Sequence, residues 1–177
     1  MSENIILVDN NDRQIGTMGK MEAHEKGLLH RAFSVFVFNS KGELLMQQRA
    51  KDKYHSGGLW TNTCCSHPND GEQTDVAALR RLHEEMGITC ILQPAFNFIY
   101  KAKFDNGLME HEYDHVFFGS SDELPKIEKT EVQDYKYLSL PLLREELKRN
   151  PEMYTAWLKD SFNEVVRRFE DMKMKAI

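Results

Sequence analysis

The sequence predicts a mixed α and β protein, in which strands precede, surround and follow one central helix. Two segments carry this. Residues 32–38 (AFSVFVF) are a continuous aromatic and β-branched run, the composition of a buried strand. The segment Thr74–Met86 places Val76, Leu79, Leu82 and Met86 at helical spacing and so predicts an amphipathic helix with one apolar face. With 177 residues, 41% hydrophobic and 29% charged, the composition is globular. The length predicts one domain over 1–177 whose core needs no disulfides.

The elements follow in order. Residues 5–8 predict a short apolar strand, ended by the turn-prone run Asp9-Asn10-Asn11-Asp12. Residues 18–26 are polar and read as a loop with one helical turn. Residues 32–38 and 44–48, joined by Asn39-Ser40-Lys41-Gly42, predict a hairpin. Residues 50–63 form a Gly-containing loop. The central helix has Thr74 and Asp75 suited to its start and Gly87 to its end. Residues 96–103 and 108–118 flank Asp105-Asn106-Gly107, a hairpin signal. Residues 135–138 predict another strand, and 142–148 and 154–173 predict helices. In the last helix Leu158, Phe162, Val165, Phe169 and Met172 alternate by four and three, which predicts packing on the body.

Lys and Arg total 23 and Asp and Glu 28, a net charge of −5. That balance makes a general nucleic-acid binder improbable, while a local basic patch or a metal ion can still hold an anionic substrate. No apolar run approaches the roughly 18 residues of a membrane span. The start, Met1-Ser2-Glu3-Asn4-Ile5, lacks the basic flank and apolar stretch of a signal peptide. Cys64, Cys65 and Cys90, an odd count with two adjacent, do not make a disulfide framework. A reducing, cytoplasmic compartment is expected. The sequence leaves monomer and dimer open.

Several groups could carry chemistry. Glu110 and Glu112 lie two apart on a predicted strand and project from the same side. Two close carboxylates repel unless a metal ion joins them or one keeps its proton; taken alone, a solvated edge is the commoner reading. His24, His30 and His67 with carboxylates would suit zinc, manganese or iron. His55, His83, His111 and His115 read as surface or satisfied core residues, and alternation turns His111 and His115 away from the two glutamates. Cys65 could give a proton as thiol or take one as thiolate. Alternation sends its neighbour Cys64 the other way, into the core, and Cys90 reads as structural, in an apolar strand. On the helix, Arg80 precedes Glu84 by four and Arg81 precedes Glu85 by four. With Glu72 these are either surface pairs or groups aimed at phosphate and magnesium. Lys20, Arg49, Lys51 and Lys53 form a cationic set that could dock a diphosphate or be ordinary surface charge.

The stretch Ser66, Glu72 and Arg80-Arg81-Leu82-His83-Glu84-Glu85-Met86-Gly87-Ile88 resembles the Nudix box: Gly, five residues, Glu, seven residues, then Arg-Glu-apolar-any-Glu-Glu-any-Gly-apolar. Ser66 replaces the leading Gly. Arg81 replaces the Glu that matters in Nudix hydrolases for metal binding and water activation, which argues against diphosphate hydrolysis. Both departures are shared by the type I isopentenyl diphosphate isomerases, which the chain resembles over almost its whole length. The shared set is Lys20-Met-Glu-Ala-His24, Leu29-His30-Arg31-Ala32-Phe33-Ser34, Gln48-Arg49-Ala50, Gly58-Leu59-Trp60-Thr61-Asn62, Cys65-Ser66-His67-Pro68, Gly71-Glu72, Glu85-Met86-Gly87 and Tyr100 ten residues before Glu110-His111-Glu112.

The resemblance implies a Nudix fold, a mixed sheet flanked by helices, and interconversion of isopentenyl and dimethylallyl diphosphate. It implies that His24, His30, His67, Glu110 and Glu112 hold a divalent metal, zinc or manganese, with magnesium possible. It assigns proton transfer to Cys65 and Glu112, with Tyr100 assisting the glutamate. The forward direction is expected to use Glu112 with Tyr100 as acid and Cys65 as base. Glu85 matches a ligand of a diphosphate-bound Mg²⁺, and Lys20, Arg49, Lys53 and Arg81 match diphosphate contacts. Trp157 matches a tryptophan over the hydrocarbon end of the substrate, where its ring face could stabilise a carbocation. The C-terminal helix and the N-terminal segment are candidates for a closing lid.

Overall fold

The computed structural model describes residues 4–175. In chain order the elements are β1 (Asn4–Val8), β2 (Gln14–Gly19), α1 (Lys20–Lys26), β3 (His30–Phe38), β4 (Glu43–Arg49), β5 (Trp60–Thr61) and β6 (Cys64–Ser66). There follow α2 (Thr74–Met86), β7 (Leu92–Lys103), β8 (Met109–Ser120), β9 (Val132–Ser139), α3 (Leu140–Arg149), a 3₁₀ turn (Pro151–Met153) and α4 (Ala156–Lys175). Among the described residues the nine strands join one curled, mixed sheet.

β3 is apolar at almost every position because both its faces are covered. Phe33, Val35 and Val37 point into a core shared with Ala78, Leu82 and Met86 of α2. Phe36 and Phe38 point into a second core with Leu143 of α3 and Leu158, Phe162 and Val165 of α4. Along one edge β3 runs parallel to β8, from His30↔Glu112 to Phe38↔Ser120. Along the other it meets β4 at a single rung, Phe38↔Leu44. Beyond that rung the hairpin opens. β3 takes β6 as its partner, with Ser34↔Cys65, while β4 pairs with β5 and β9. Residues from both arms of that opening wall the cleft described below.

The three predicted turns form: Gly42 (φ +77°) and Gly107 (φ +86°) take the left-handed conformation their hairpins require. At the first, Asp12 also has positive φ (+61°) and is held by Arg31 Nε (2.7 Å) and by His115 Nε2 (2.8 Å).

Other expectations are corrected. The polar segment 18–26 is the end of an edge strand followed by a two-turn helix. The loop 50–63 contains β5, and β6 follows directly; both are too short to show a pattern. Cys90 lies just before β7 rather than in a strand. The last helix starts at Ala156, after the 3₁₀ turn. On α2 the span is as predicted and Leu82 and Met86 are buried as expected, but Val76 is 51% and Leu79 37% exposed, and Ala77, Ala78 and Glu85 face inward in their place. Small alanines let α2 sit close to the sheet. Leu82→Ala should therefore cost about 2–5 kcal/mol in urea unfolding, against less than about 1 kcal/mol for Leu79→Ala. Equal losses would put the helix in the register the larger side chains suggest.

Candidate active site

The face of β8 that continues the α4 core changes chemistry partway along. Val116 and Phe118 are core, whereas Glu110, Glu112 and Asp114 on the same face are buried carboxylates. Beside them β3 presents His30, in direct register with Glu112, and β7 presents Tyr100, also in register with Glu112. Lys20 and His24, one helical turn apart on α1, approach the same cleft, and His67 enters just after β6.

His24, His30, His67, Glu110 and Glu112 each offer a ligand atom, and these atoms lie within 4.8 Å of one another. All five residues are at most 6% exposed. Backbone carbonyls fix two of the rings: Nδ1–H of His24 donates to Lys20 O (2.7 Å) and that of His30 to Leu28 O (2.8 Å). The Nε2 atoms of both are left without hydrogen-bond partners, as is Glu110 Oε2. His67 Nε2 lies 2.9 Å from Glu112 Oε1. Burial pushes the His67 imidazole down to about 3, so it is neutral at pH 7. Imidazole nitrogens without hydrogen-bond partners beside two carboxylates are the donor set of a divalent metal site, and the cluster could hold such an ion.

The carboxylates are not equivalent. Burial, then the neighbouring Glu112 charge, raises Glu110 to about 7. Burial would raise Glu112 too, but the His30 and His67 imidazoles beside it hold it well below the usual range. Tyr100 OH donates to its other oxygen at 2.5 Å. A divalent ion must displace the Glu110 proton, so its affinity for chelator-treated protein should fall as pH drops through about 7. Calorimetry in buffers of different ionisation enthalpy would show the released proton; binding without proton release would contradict this charge state.

Cys65 shares the cleft, on the same sheet face as Ser34, while Cys64 is fully buried against α2, as alternation requires. Burial pushes the Cys65 thiol up to about 12, with the Arg49 charge opposing. Burial thus favours the protonated thiol at Cys65, while the groups around Glu112 favour its carboxylate.

Four cations line the cleft: Lys20, Arg49, Lys53 and Arg81. Lys51 does not, and is exposed. Arg49 is 8% exposed with its guanidinium 5.2 Å from the Trp157 ring centre, and its Nε lacks a partner. Lys53 contacts Glu131, and Arg81 pairs with Glu85 (2.6 Å) and Glu131 (3.1 Å). Of the box acids only Glu85 lines the cleft, where Gln47 also donates to it (2.9 Å). Glu72 instead holds Arg80 through two bonds (2.7 and 2.8 Å), a pairing across eight residues that the i,i+4 reading missed. Trp157 is 3% exposed at the start of α4 and is tied by Nε1–H to Asn62 Oδ1 (3.2 Å).

Sequence reasoning gave no site role to five cleft residues, Phe33, Gln47, Tyr54, His55 and Ser66. His55 is the largest departure. It is 5% exposed, contacts Glu110 and stacks on Phe104, whereas an ordinary surface or core histidine was expected. His83 is exposed as expected, and His111 and His115 turn away to Gly27 O and Asp12.

A model of the NUDIX domain matches residues 28–158. An isopentenyl-diphosphate Delta-isomerase from Pectobacterium atrosepticum is 53% identical over 158 residues, covering 89% of this chain and 88% of that protein. An isopentenyl-diphosphate Delta-isomerase 2 from Aromatoleum aromaticum is 50% identical, covering 94% and 88%. The chain belongs to the isopentenyl-diphosphate Delta-isomerase family, within the NUDIX superfamily. The fold agrees: DR0079 from Deinococcus radiodurans superimposes with a TM-score of 0.75 at 18% identity, over 94% of this chain and 98% of its own. A MutT protein from Methanosarcina mazei gives 0.64 at 21% identity, over 82% and 95%. Arg81 sets a cation 2.6 Å from Glu85 Oε1. Among the described residues no helix is long and apolar enough to cross a membrane.

Proposed function

We infer that this chain is an isopentenyl diphosphate isomerase, interconverting isopentenyl and dimethylallyl diphosphate in isoprenoid biosynthesis. One observation supports this most strongly: a thiol, Cys65, and a Tyr100-bound carboxylate, Glu112, share one cleft with four cations and a His/Glu cluster. Moving the double bond requires a proton added at C4 and another removed from C2, through a tertiary carbocation. One group must start protonated and the other not. The resting thiol and carboxylate satisfy that requirement, with Cys65 carrying the proton. On this charge state Cys65 donates to C4 and Glu112 accepts from C2, and the roles exchange in the reverse direction.

Lys20, Arg49, Lys53 and Arg81 are the groups we assign to the diphosphate, with Glu85 holding its Mg²⁺. His24, His30, His67, Glu110 and Glu112 would hold zinc or manganese, or magnesium in their place. When bound, that ion supplies charge that fixes the two glutamates. Tyr100 keeps Glu112 oriented, and Trp157 offers its ring face to the cationic carbon. Arg49 already lies near that ring, so the site tolerates positive charge there. Water would trap the cation as an alcohol, so α1 and the start of α4, which carry Lys20 and Trp157, are the segments we expect to close. Substrate protection of both in hydrogen exchange would support closure, and unchanged exchange would refute it. The unpaired cysteines and acidic composition support a cytoplasmic enzyme with a small-molecule partner and no nucleic acid.

Proton NMR of the metal-loaded protein with isopentenyl diphosphate in D₂O tests the reading. Dimethylallyl diphosphate with deuterium in a methyl group is the expected product. Free phosphate would make the protein a hydrolase, and unchanged substrate would leave a binding module.

A further inference from the structure

The reading above leaves one buried polar residue of the cleft without a task. His55 is 5% exposed, and its Nε2 is packed against Glu110 Oε1 without making a hydrogen bond there or elsewhere. It stands outside the five-residue cluster, whose other imidazoles approach one another more closely. Its ring is nonetheless firmly placed. One face stacks on Phe104, with centroids 4.5 Å apart and planes 7° from parallel. Tyr54 and Trp157 meet it edge-on at 4.4 and 6.0 Å.

The backbone is committed to this placement as well. Ser56, the next residue, has φ +52°, a left-handed conformation that a serine adopts only when its surroundings hold it there. At Gly57 any Cβ would come within 2.3 Å of Lys51 O, so the loop closes only with glycine at that point. Ser56 Oγ lies 3.2 Å from His55 Nδ1. A serine hydroxyl donating there leaves the ring proton on Nε2, the atom that faces Glu110.

We propose that His55 is a positioning residue of the metal centre: its Nε2, packed against Glu110 Oε1, fixes the rotamer of that carboxylate, so that Oε1 stays beside His24 and Oε2 is left toward His30. The remaining oxygen, Glu110 Oε2, is the one without a partner, 3.9 Å from His30 Nε2. A carboxylate held through one oxygen presents the other at a fixed place, which is how hydrogen-bonding residues around a metal site raise its affinity. The proposal rests on reading the five-residue cluster as a metal site.

The test uses chelator-treated protein reloaded with Co²⁺, whose visible absorption reports ligand geometry independently of turnover. His55→Phe keeps the stacking on Phe104 and removes the donor, and His55→Gln keeps a donor. His55→Phe should bind Co²⁺ about 10–100-fold more weakly and shift its bands, and His55→Gln should recover most of that loss. Wild-type affinity and bands in His55→Phe would overturn the proposal. So would His55→Gln behaving no better than His55→Phe, which would make the role one of packing. Loss of one imidazole nitrogen from the Co²⁺ X-ray absorption of both variants would also overturn it, in favour of direct ligation. Should His55→Phe not fold, Ser56→Ala leaves the ring and its packing in place and should still weaken binding; unchanged affinity there would overturn the proposal. A wild-type protein that takes up no Co²⁺ would remove the metal reading itself, a result distinct from all of these.

Discussion

Cys65→Ala is expected to lower turnover of isopentenyl diphosphate by about 10²–10⁴-fold, the usual contribution of a positioned proton-transfer group. The side chain lines the cleft but does not fill a core: its strand neighbour Cys64 packs against α2, and Cys65 is only partly enclosed. Urea unfolding of the variant should therefore stay close to wild type. Metal uptake should also be unchanged, because Cys65 stands outside the His/Glu cluster. The decisive measurement is deuterium incorporation from D₂O under single-turnover conditions. A variant that still isomerises within a few-fold of wild type would remove Cys65 from the proton path.

Glu112→Gln is expected to be more damaging, at or beyond the upper end of that range, because one side chain serves two purposes. It accepts from Tyr100 and His67 and belongs to the metal cluster, in direct register with His30. The amide keeps the shape but loses the charge, so divalent-ion affinity should fall by about 10-fold or more along with turnover. The two variants thus separate the functions: one loses chemistry alone, the other chemistry and metal. A Glu112→Gln protein that holds its ion normally and turns over at near-normal rate would sink both assignments. Normal metal with lost turnover would confine Glu112 to proton transfer.

The legibility of this chain in its sequence was uneven, for physical reasons. β3 and the two glycine-closed hairpins announced themselves through aromatic runs and obligatory turn chemistry. The span of α2 was plain because Gly87 ends it, yet its buried face was misjudged in part: Ala77 and Ala78 bury through smallness, and a periodicity weighted to large residues prefers Val76 and Leu79. β2, β5 and β6 carry no alternation to read and exist because neighbouring strands offer them hydrogen bonds. At the site, an ordered motif set marked the five cluster residues, Cys65, Tyr100 and the four cations. What motifs could not supply was charge: burial raises the Cys65 thiol, and burial is a property of the folded environment. His55 escaped notice because a strained loop and a ring stack bring it in, and neither leaves a spacing in the sequence.

One face of β8 serves as core at one end and as a row of three buried carboxylates at the other. Packing that acidic row against the sheet without a cation opposes folding, since the unfolded chain keeps those groups in water. An ion that binds only the folded form draws the equilibrium toward it by mass action, by about 2.7 kcal/mol at one hundred times its Kd. A divalent ion held by this cluster would then act as a folding ligand as well: its supply would govern how many molecules are native, and chelation should lower the melting temperature before any substrate is added.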